Sequence, residues 1–168
     1  KLYRRVPVSA ESKDEGEIKV TSTDPIEYTS TAFWLDFPKD VLERCGVPLE
    51  DARRMVHAVE HAVRTVFPLV ADVDPGDIGS SLDVEEQESD FFKCRLYVFD
   101  SFAGGTGLSE FAYEKPGVLL TAAYKLINSC DCSFREGCPR CTIIPWCEYQ
   151  NQDLDKNAAK AILEYLKD

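Results

Sequence analysis

Basic side chains are scarce in this sequence of 168 residues, and methionine is nearly absent. The 19 lysines and arginines stand against 30 aspartates and glutamates, which gives a net charge of −11. That charge excludes a protein whose whole surface attracts nucleic acid phosphates, so any contact with nucleic acid must be local. The single methionine, Met55, lies in mid-chain, and we therefore expect the sequence to be a piece of a longer protein.

Long apolar runs and common enzyme motifs are also missing. No stretch approaches the roughly 18 consecutive apolar residues that a membrane-spanning helix requires, and the amino end lacks the apolar core of a signal peptide. A phosphate-binding G-K-[ST] loop, a serine-histidine-aspartate order and a deaminase signature do not occur. We expect a reducing, cytoplasmic location, no membrane partner and no catalytic residue in this chain.

The 44% content of hydrophobic residues suits one domain with its own core. Residue periodicity predicts an α+β fold, a small sheet packed by several helices with a cysteine-rich loop before the final helix. Strands are predicted over residues 17–22, 28–37 and 93–100. Helices are predicted over residues 49–70, 108–114 and 117–128, and after a cap at Asp153 or Asp155. The acidic segments 11–17 and 83–90 are predicted loops, and residues 74–81 a turn.

Five of the seven cysteines lie in one segment, residues 128–149, with the sequence NSCDCSFREGCPRCTIIPWCEY. Its GCPRC core has the spacing with which a turn aims two thiolates at one ion, and zinc takes four such sulfurs in a tetrahedron. A C-x-C pair on one ion is more strained than a C-x2-C pair, so one cysteine, Cys130, is held in reserve. The favoured ligands of one structural zinc are Cys132, Cys138, Cys141 and Cys147.

Other uses of clustered cysteines fit less well. Disulfides need an oxidising compartment, for which an acidic chain with an odd number of cysteines and no secretion signal gives no support. The CPRC tetrad resembles the motif of thiol oxidoreductases, but there the first cysteine begins a helix, whereas here helix-breaking residues surround it. An iron–sulfur cluster uses the same four ligands and remains an alternative that spacing alone does not remove.

The pentad HAVEH at residues 57–61 fits the H-x-x-E-H motif of some zinc peptidases, with Glu60 as general base between His57 and His61. At about 100° per residue, however, both histidines lie opposite the apolar stripe of the predicted helix. They share that face with three arginines, which would repel a divalent ion: Arg53, Arg54 and Arg64. We therefore predict that the imidazoles face outward, on a docking or phosphate-facing surface or on a merely solvated one.

A third pattern, VFDSFAGGTGLSEF at residues 98–111, runs from a strand through a glycine turn into a helix. Backbone N–H groups at such a turn can bind an anion, with Gly104 and Gly105 as the candidates for phosphate contact. A tight turn that packs helix against strand explains the glycines equally well. Under either interpretation Asp100 is expected to cap the turn or the helix.

Taken in order, four segments resemble the carboxy-terminal zinc-binding domain of MrfA-type DEAD/DEAH-box DNA helicases: residues 57–81, LYVFDSFAGGTGLSEFAYE at 96–114, CDCSFREGCPRC at 130–141, and NQDLDKNAAKAIL at 151–163. The resemblance covers residues 28–168 and leaves residues 1–27 as a segment leading in from a preceding domain. It implies that the HAVEH helix is not a catalytic metal site.

What the resemblance implies for function is an accessory role. The parent would be an ATP-dependent DNA translocase of 3′-to-5′ polarity in DNA repair, or a component of phage defence, with two RecA-like motor domains that alone use ATP and magnesium. This chain would guide a DNA strand or position the motor domains. The alternatives are a zinc hydrolase built on the HAVEH helix and a protein-docking module. Candidate DNA contacts are Arg53, Arg54, Arg64, Arg135, Arg140, Gly104 and Gly105.

Overall fold

The structure, a computed structural model, describes residues 2–6, 26–86 and 92–167. Its first element is an antiparallel pair of short strands, in which β1 (Leu2–Val6) runs beside β2 (Ile26–Ser30). The strand predicted over residues 17–22 and the acidic segment 11–17 lie outside the described residues. The strand predicted over residues 28–37 is divided, because β2 ends at Ser30 and β3 (Ala32–Asp36) joins a different sheet.

That second sheet is antiparallel and has three strands in the order β3, β5 (Phe92–Asp100), β4 (Ile78–Glu86). Phe33 of β3 and Ser80 of β4 both lie opposite Val98 of the central strand. The prediction of a strand over residues 93–100 is confirmed. The turn and loop predictions for residues 74–81 and 83–90 are wrong where β4 runs, because charged residues are common on the open side of an edge strand.

The described residues contain five α-helices: α1 (Lys39–Arg44), α2 (Ala52–Ala71), α3 (Leu108–Glu114), α4 (Pro116–Ser129) and α5 (Lys156–Leu166). Helices α2 and α3 pack against the three-stranded sheet, and the arrangement confirms the predicted α+β class. Pro116 occupies the first turn of α4, where its missing N–H costs nothing. The carboxylate of Asp155 caps α5 by accepting the N–H groups of Asn157 and Ala158 at 3.0 and 3.1 Å. The short helix α1 was not predicted from the sequence.

Helix α2 lies at the centre of the domain, where it packs against β4, α4 and α5. Its apolar stripe, including Val59, Val63 and Phe67, is fully buried. The loop of residues 130–155 runs from the end of α4 to the start of α5 and covers the remaining side of α2. Within the described part of the chain, no helix has both the length and the apolar content to cross a membrane.

Candidate metal centre

Four sulfur atoms converge where the loop of residues 130–155 begins. The Sγ atoms of Cys130, Cys132, Cys138 and Cys141, which we call the four-cysteine cluster, all lie within 4.8 Å of one another. Cys130 and Cys138 are 3.9 Å apart at sulfur, as are Cys132 and Cys141. Sulfurs placed 2.3 Å from a tetrahedral zinc ion are separated by about 3.8 Å. The spacing and the chemistry of the cluster therefore fit one four-coordinate zinc ion.

The backbone between Cys138 and Cys141 explains how two thiols come to face one point. The carbonyl oxygen of Cys138 accepts N–H groups from Cys141 at 3.1 Å and from Thr142 at 2.9 Å, which closes a tight turn. The Thr142 hydroxyl accepts the N–H of Cys138 at 2.8 Å. The N–H of Arg140 donates to the Cys138 sulfur at 3.4 Å. The turn thus holds both sulfurs in place and supplies a donor to one of them.

Two cations face the cluster. The Nζ atom of Lys156 donates to the carbonyl oxygens of Cys130 and Cys132 at 2.7 and 3.3 Å and to the Cys132 sulfur at 3.0 Å. The Arg140 guanidinium contacts the Cys130 sulfur at 3.5 Å. The backbone N–H of Cys132 and this guanidinium lower the pKa of the Cys130 thiol to about 6. Four thiolates around a divalent ion carry a net charge of −2, which these two cations balance.

Lys156 was not among the residues identified from the sequence, although one signal was present. It occupies the first position of α5, and a cation there opposes the helix dipole, which favours anions at the amino end. The side chain is only 9% exposed, which is unusual for a lysine without a strong partner. A lysine in that position therefore indicates a nearby negative group, here the sulfur of the four-cysteine cluster.

The structure separates Cys147 from the four-cysteine cluster, so the ligand set favoured from the sequence is not the set that converges. Cys130 takes the place that Cys147 was expected to fill. The reason is local, because α4 ends at Ser129 and the backbone at Cys130 is extended, with φ −80° and ψ 111°. In an extended chain residues i and i+2 point to the same side, so Cys130 and Cys132 can face one ion without strain.

Cys147 belongs to a second group, which it forms with His57 and His61 of α2. The prediction that these histidines face outward is wrong, because they are 2% and 0% exposed beneath the loop of residues 130–155. Burial lowers the pKa of His61 to about 4, and burial raises the pKa of the neighbouring Glu60 to about 7. The Glu60 carboxyl accepts a hydrogen bond from the Ser80 hydroxyl at 2.6 Å.

The glycine turn after β5 serves an internal carboxylate. Asp100 is fully buried and accepts the N–H groups of Thr106 and Ser109, the latter at 2.8 Å. Burial opposes its ionisation, but the hydrogen bonds from Ser109 and Thr106 outweigh that and lower the pKa of Asp100 to about 2. The N–H groups of Gly104 and Gly105 donate to backbone carbonyls at 2.7 and 3.1 Å. The expected cap is present, and these bonds favour the tight turn over phosphate contact.

Four of the five candidate arginines lie on α2 or in the loop of residues 130–155, and among the described residues the structure shows no bond from them to the four-cysteine cluster. Arg54 and Arg135 both pair with the buried carboxylate of Asp155, at 3.2 and 2.8 Å. Arg53 is exposed and donates to a tyrosine hydroxyl at 3.0 Å, and Arg64 lines a small cavity beside the second group. The fifth candidate, Arg140, contacts the four-cysteine cluster at the Cys130 sulfur. Arg54 and Arg135 thus bind the loop through Asp155, and Arg135 keeps 60% of its side chain exposed.

Comparison with protein-family models identifies one family. The model described as MrfA Zn-binding domain matches residues 59–142, which is half of the chain. The matched region contains the four-cysteine cluster in full. Of the second group it contains only His61, because it begins after His57 and ends before Cys147.

Relatives and one solved structure agree with that match. The chain is 31% identical over 137 residues to ATP-dependent helicase hrq1 of Schizosaccharomyces pombe, covering 77% of this chain and 13% of the helicase. It is 33% identical over 113 residues to an uncharacterised protein of Methanocaldococcus jannaschii, covering 66% of this chain and 98% of that protein. The crystal structure of DUF1998 helicase MrfA bound to DNA aligns with a TM-score of 0.63 at 19% identity, over 90% of this chain and 18% of MrfA.

Proposed function

Because this chain belongs to the MrfA Zn-binding domain family, we propose that it is the accessory zinc module of an ATP-dependent DNA helicase. The observation that carries the proposal is the convergence of four sulfurs at the spacing of tetrahedral zinc, within the family match. Cys130, Cys132, Cys138 and Cys141 are the proposed ligands. A site with four protein sulfurs has no open position for a substrate, so the proposed ion is structural.

The motor chemistry is assigned to the rest of the helicase. ATP-driven motors need a phosphate-cradling loop with a lysine and an aspartate that holds magnesium, and this sequence contains neither motif. The chain spans only 13% of the fission yeast helicase and 14% of its counterpart in Saccharomyces cerevisiae. RecA-like motor domains in the same polypeptide would therefore bind ATP and magnesium and move along DNA, in repair or in phage defence.

The proposed contact with the motor domains is an apolar patch beside the loop of residues 130–155. Leu69 is 82% exposed and Trp146 is 81% exposed, and both line a groove of about 280 Å³ together with Ile143. Large apolar side chains grouped on a surface mark places that another protein surface covers. The rest of the helicase is the occupant we propose, because the two yeast helicases are several times longer than this chain. Zinc would keep this patch rigid.

The proposed contact with a DNA strand uses two exposed arginines near the amino end of α2, away from the apolar patch. A guanidinium has five N–H donors, so Arg53 and Arg135 can bind a phosphate while keeping their internal hydrogen bonds. The net charge of −11 repels phosphate from the rest of the surface, which would confine the strand to this region. Base-specific contact is not part of the proposal, since phosphate contacts position a strand without reading its sequence.

The decisive experiment compares two alanine variants of the full-length helicase. Cys138→Ala together with Cys141→Ala should remove the zinc and abolish DNA unwinding and DNA-stimulated ATP turnover. Cys45→Ala is the matched control, because Cys45 lies outside both metal-ligand groups and should leave zinc and activity unchanged. A zinc-free protein that folds and unwinds DNA at the normal rate would refute the accessory role.

Two further variants separate the proposed contacts. Leu69→Ser should impair unwinding while DNA affinity and zinc content stay normal, because the patch faces the motor domains. Arg53→Gln with Arg135→Gln should weaken DNA binding on every sequence equally and flatten its salt dependence, as expected for lost phosphate contacts. If both variants unwind DNA normally, the region contacts neither the motor domains nor the strand.

A further inference from the structure

We propose that His57, His61 and Cys147 form a second metal site, distinct from the four-cysteine cluster, which binds zinc or a similar transition-metal ion. One ligand atom from each residue lies within 4.8 Å of the other two. The distance from His57 Nε2 to Cys147 Sγ is 3.2 Å. Two imidazole nitrogens and a thiolate are ligands that zinc binds well. The inference goes beyond the proposed function, which requires only one ion.

The Nδ1 atoms of both imidazole rings bond to backbone carbonyl oxygens, as they do in many metal-binding histidines. His57 Nδ1 lies 3.3 Å from the carbonyl oxygen of Asp153, and His61 Nδ1 lies 2.6 Å from that of Thr142. A carbonyl oxygen only accepts, so each Nδ1 carries the proton and each Nε2 presents a lone pair. Histidine ligands of metals are oriented by the same outer hydrogen bond. Both imidazoles are therefore held in the tautomer that a metal ion requires.

The unprotonated nitrogen of His61, Nε2, makes no hydrogen bond to any described residue. The side chain is 0% exposed, and Nε2 is buried without a hydrogen-bond partner in the part of the chain that the structure describes. A buried polar atom without a partner is destabilising, and most such atoms in proteins are satisfied. A metal ion shared with His57 and Cys147 would use this lone pair.

The sulfur of Cys147 accepts the same kind of backbone hydrogen bond as that of Cys138 in the four-cysteine cluster. It accepts the N–H of Tyr149 at 3.3 Å, and Cys138 Sγ accepts the N–H of Arg140 at 3.4 Å, each from the residue two positions later. The N–H donor fixes the position of the sulfur beside the two imidazoles. A cavity of about 10 Å³ adjoins the three ligands, which is space for a single small species. Glu60 also lines it, so its carboxylate or a water could complete four ligands.

Charge around this cavity no longer argues against a cation. Of the three arginines that the sequence places near the histidines, only Arg64 lines the cavity, together with the acidic residues Glu60 and Glu148. Arg53 and Arg54 are occupied elsewhere, with a tyrosine hydroxyl and with the capping aspartate of α5. A thiolate at Cys147 adds a further negative charge, so a divalent ion would meet more anionic than cationic groups.

Metal content provides the first test. The reduced chain is loaded with zinc under anaerobic conditions and freed of excess metal. It should then hold two zinc ions, as measured by inductively coupled plasma mass spectrometry. His61→Gln and Cys147→Ser should each hold one, and Cys45→Ser, the matched control, should hold two. One zinc in the unaltered chain, lost with Cys138→Ser but kept in Cys147→Ser, would overturn the second site. The proposed four-cysteine site would survive that result.

A measurement on the unaltered chain does not depend on the folding of variants. The sequence contains only two histidines, so a long-range ¹H–¹⁵N spectrum shows two imidazoles. Addition of zinc should move both Nε2 resonances and leave both Nδ1 atoms protonated. If neither Nε2 resonance moves when two zinc ions are bound, the second ion lies elsewhere and the pair of His57 and Cys147 is an ordinary hydrogen bond.

Discussion

Replacing Lys156 by methionine should weaken zinc binding at the four-cysteine cluster without unfolding the domain. The ammonium group donates to two carbonyl oxygens and one sulfur of the segment from Cys130 to Cys132. Methionine fills most of the volume of the lysine stem but has no N–H donor. All three acceptors therefore lose a partner at once, and of the two cations described beside the cluster the exposed guanidinium of Arg140 remains.

The size of this effect follows from the position of Lys156 outside the ligand shell. Loss of an outer hydrogen-bonding partner costs about 10- to 100-fold in metal affinity. We expect the upper half of that range, because the ammonium is 9% exposed and bonds directly to a ligand sulfur. A 100-fold loss corresponds to about 2.7 kcal/mol of binding free energy.

The assay is competition for zinc between the chain and a chelator of known affinity, at constant pH. Lys160→Met serves as the control, because Lys160 lies one turn further along α5 and shares none of the hydrogen bonds that the structure shows between Lys156 and the cluster. Far-ultraviolet circular dichroism would confirm that both variants keep their helices. If Lys156→Met binds zinc as tightly as the control does, the ammonium does not stabilise the thiolates and the charge-balance argument fails.

Two other predictions concern the stability of the domain. The fall in the pKa of Asp100 from 3.8 to about 2 corresponds to about 2 kcal/mol of folding free energy. Because the folded pKa is the lower one, this contribution is present above about pH 4 and is lost as the pH falls to about 2, and Asp100→Asn should remove it in urea denaturation at pH 7. A Cβ atom at Gly79 would lie 2.3 Å from the ring of Phe99, so Gly79→Ala should cost about 1–3 kcal/mol. Gly76→Ala, where nothing lies within 4 Å, should cost much less, and equal losses for both glycines would show that the ring moves aside freely.

Much of the secondary structure could be predicted from the sequence, because its signals are local. The apolar period of residues 49–70 predicts α2, Pro116 predicts the boundary between α3 and α4, and the alternation after Lys93 predicts β5. Strand β4 was missed, since it is an edge strand whose acidic residues resemble those of a loop. Strand β4 pairs with β5, and hydrogen bonds to another strand cannot be predicted from the local composition of the sequence.

The chemistry of the candidate site could likewise be predicted, but its exact membership could not. Five cysteines within 18 residues indicate a metal centre whatever the fold, because thiolates so close together need a common partner. The selection of Cys130 over Cys147 depends on how the chain leaves α4 and on the loop that carries Cys147 to α2. The end of α4 and the path of the loop are consequences of tertiary packing, which cannot be predicted from residue spacing.

The sequence by itself determined the class of fold, the kind of metal centre and the family resemblance, because periodicity, residue type and motif order are properties of the chain. Tertiary structure alone decided what lies against the HAVEH helix. Residues separated by 81 to 96 positions, such as Thr142 and Asp153, supply the partners of His61 and His57. A helical projection compares only residues of one helix, so it predicted that these histidines face outward. The loop of residues 130–155 buries them because Thr142 and Asp153, which it carries, pack over α2 and bond to the two rings.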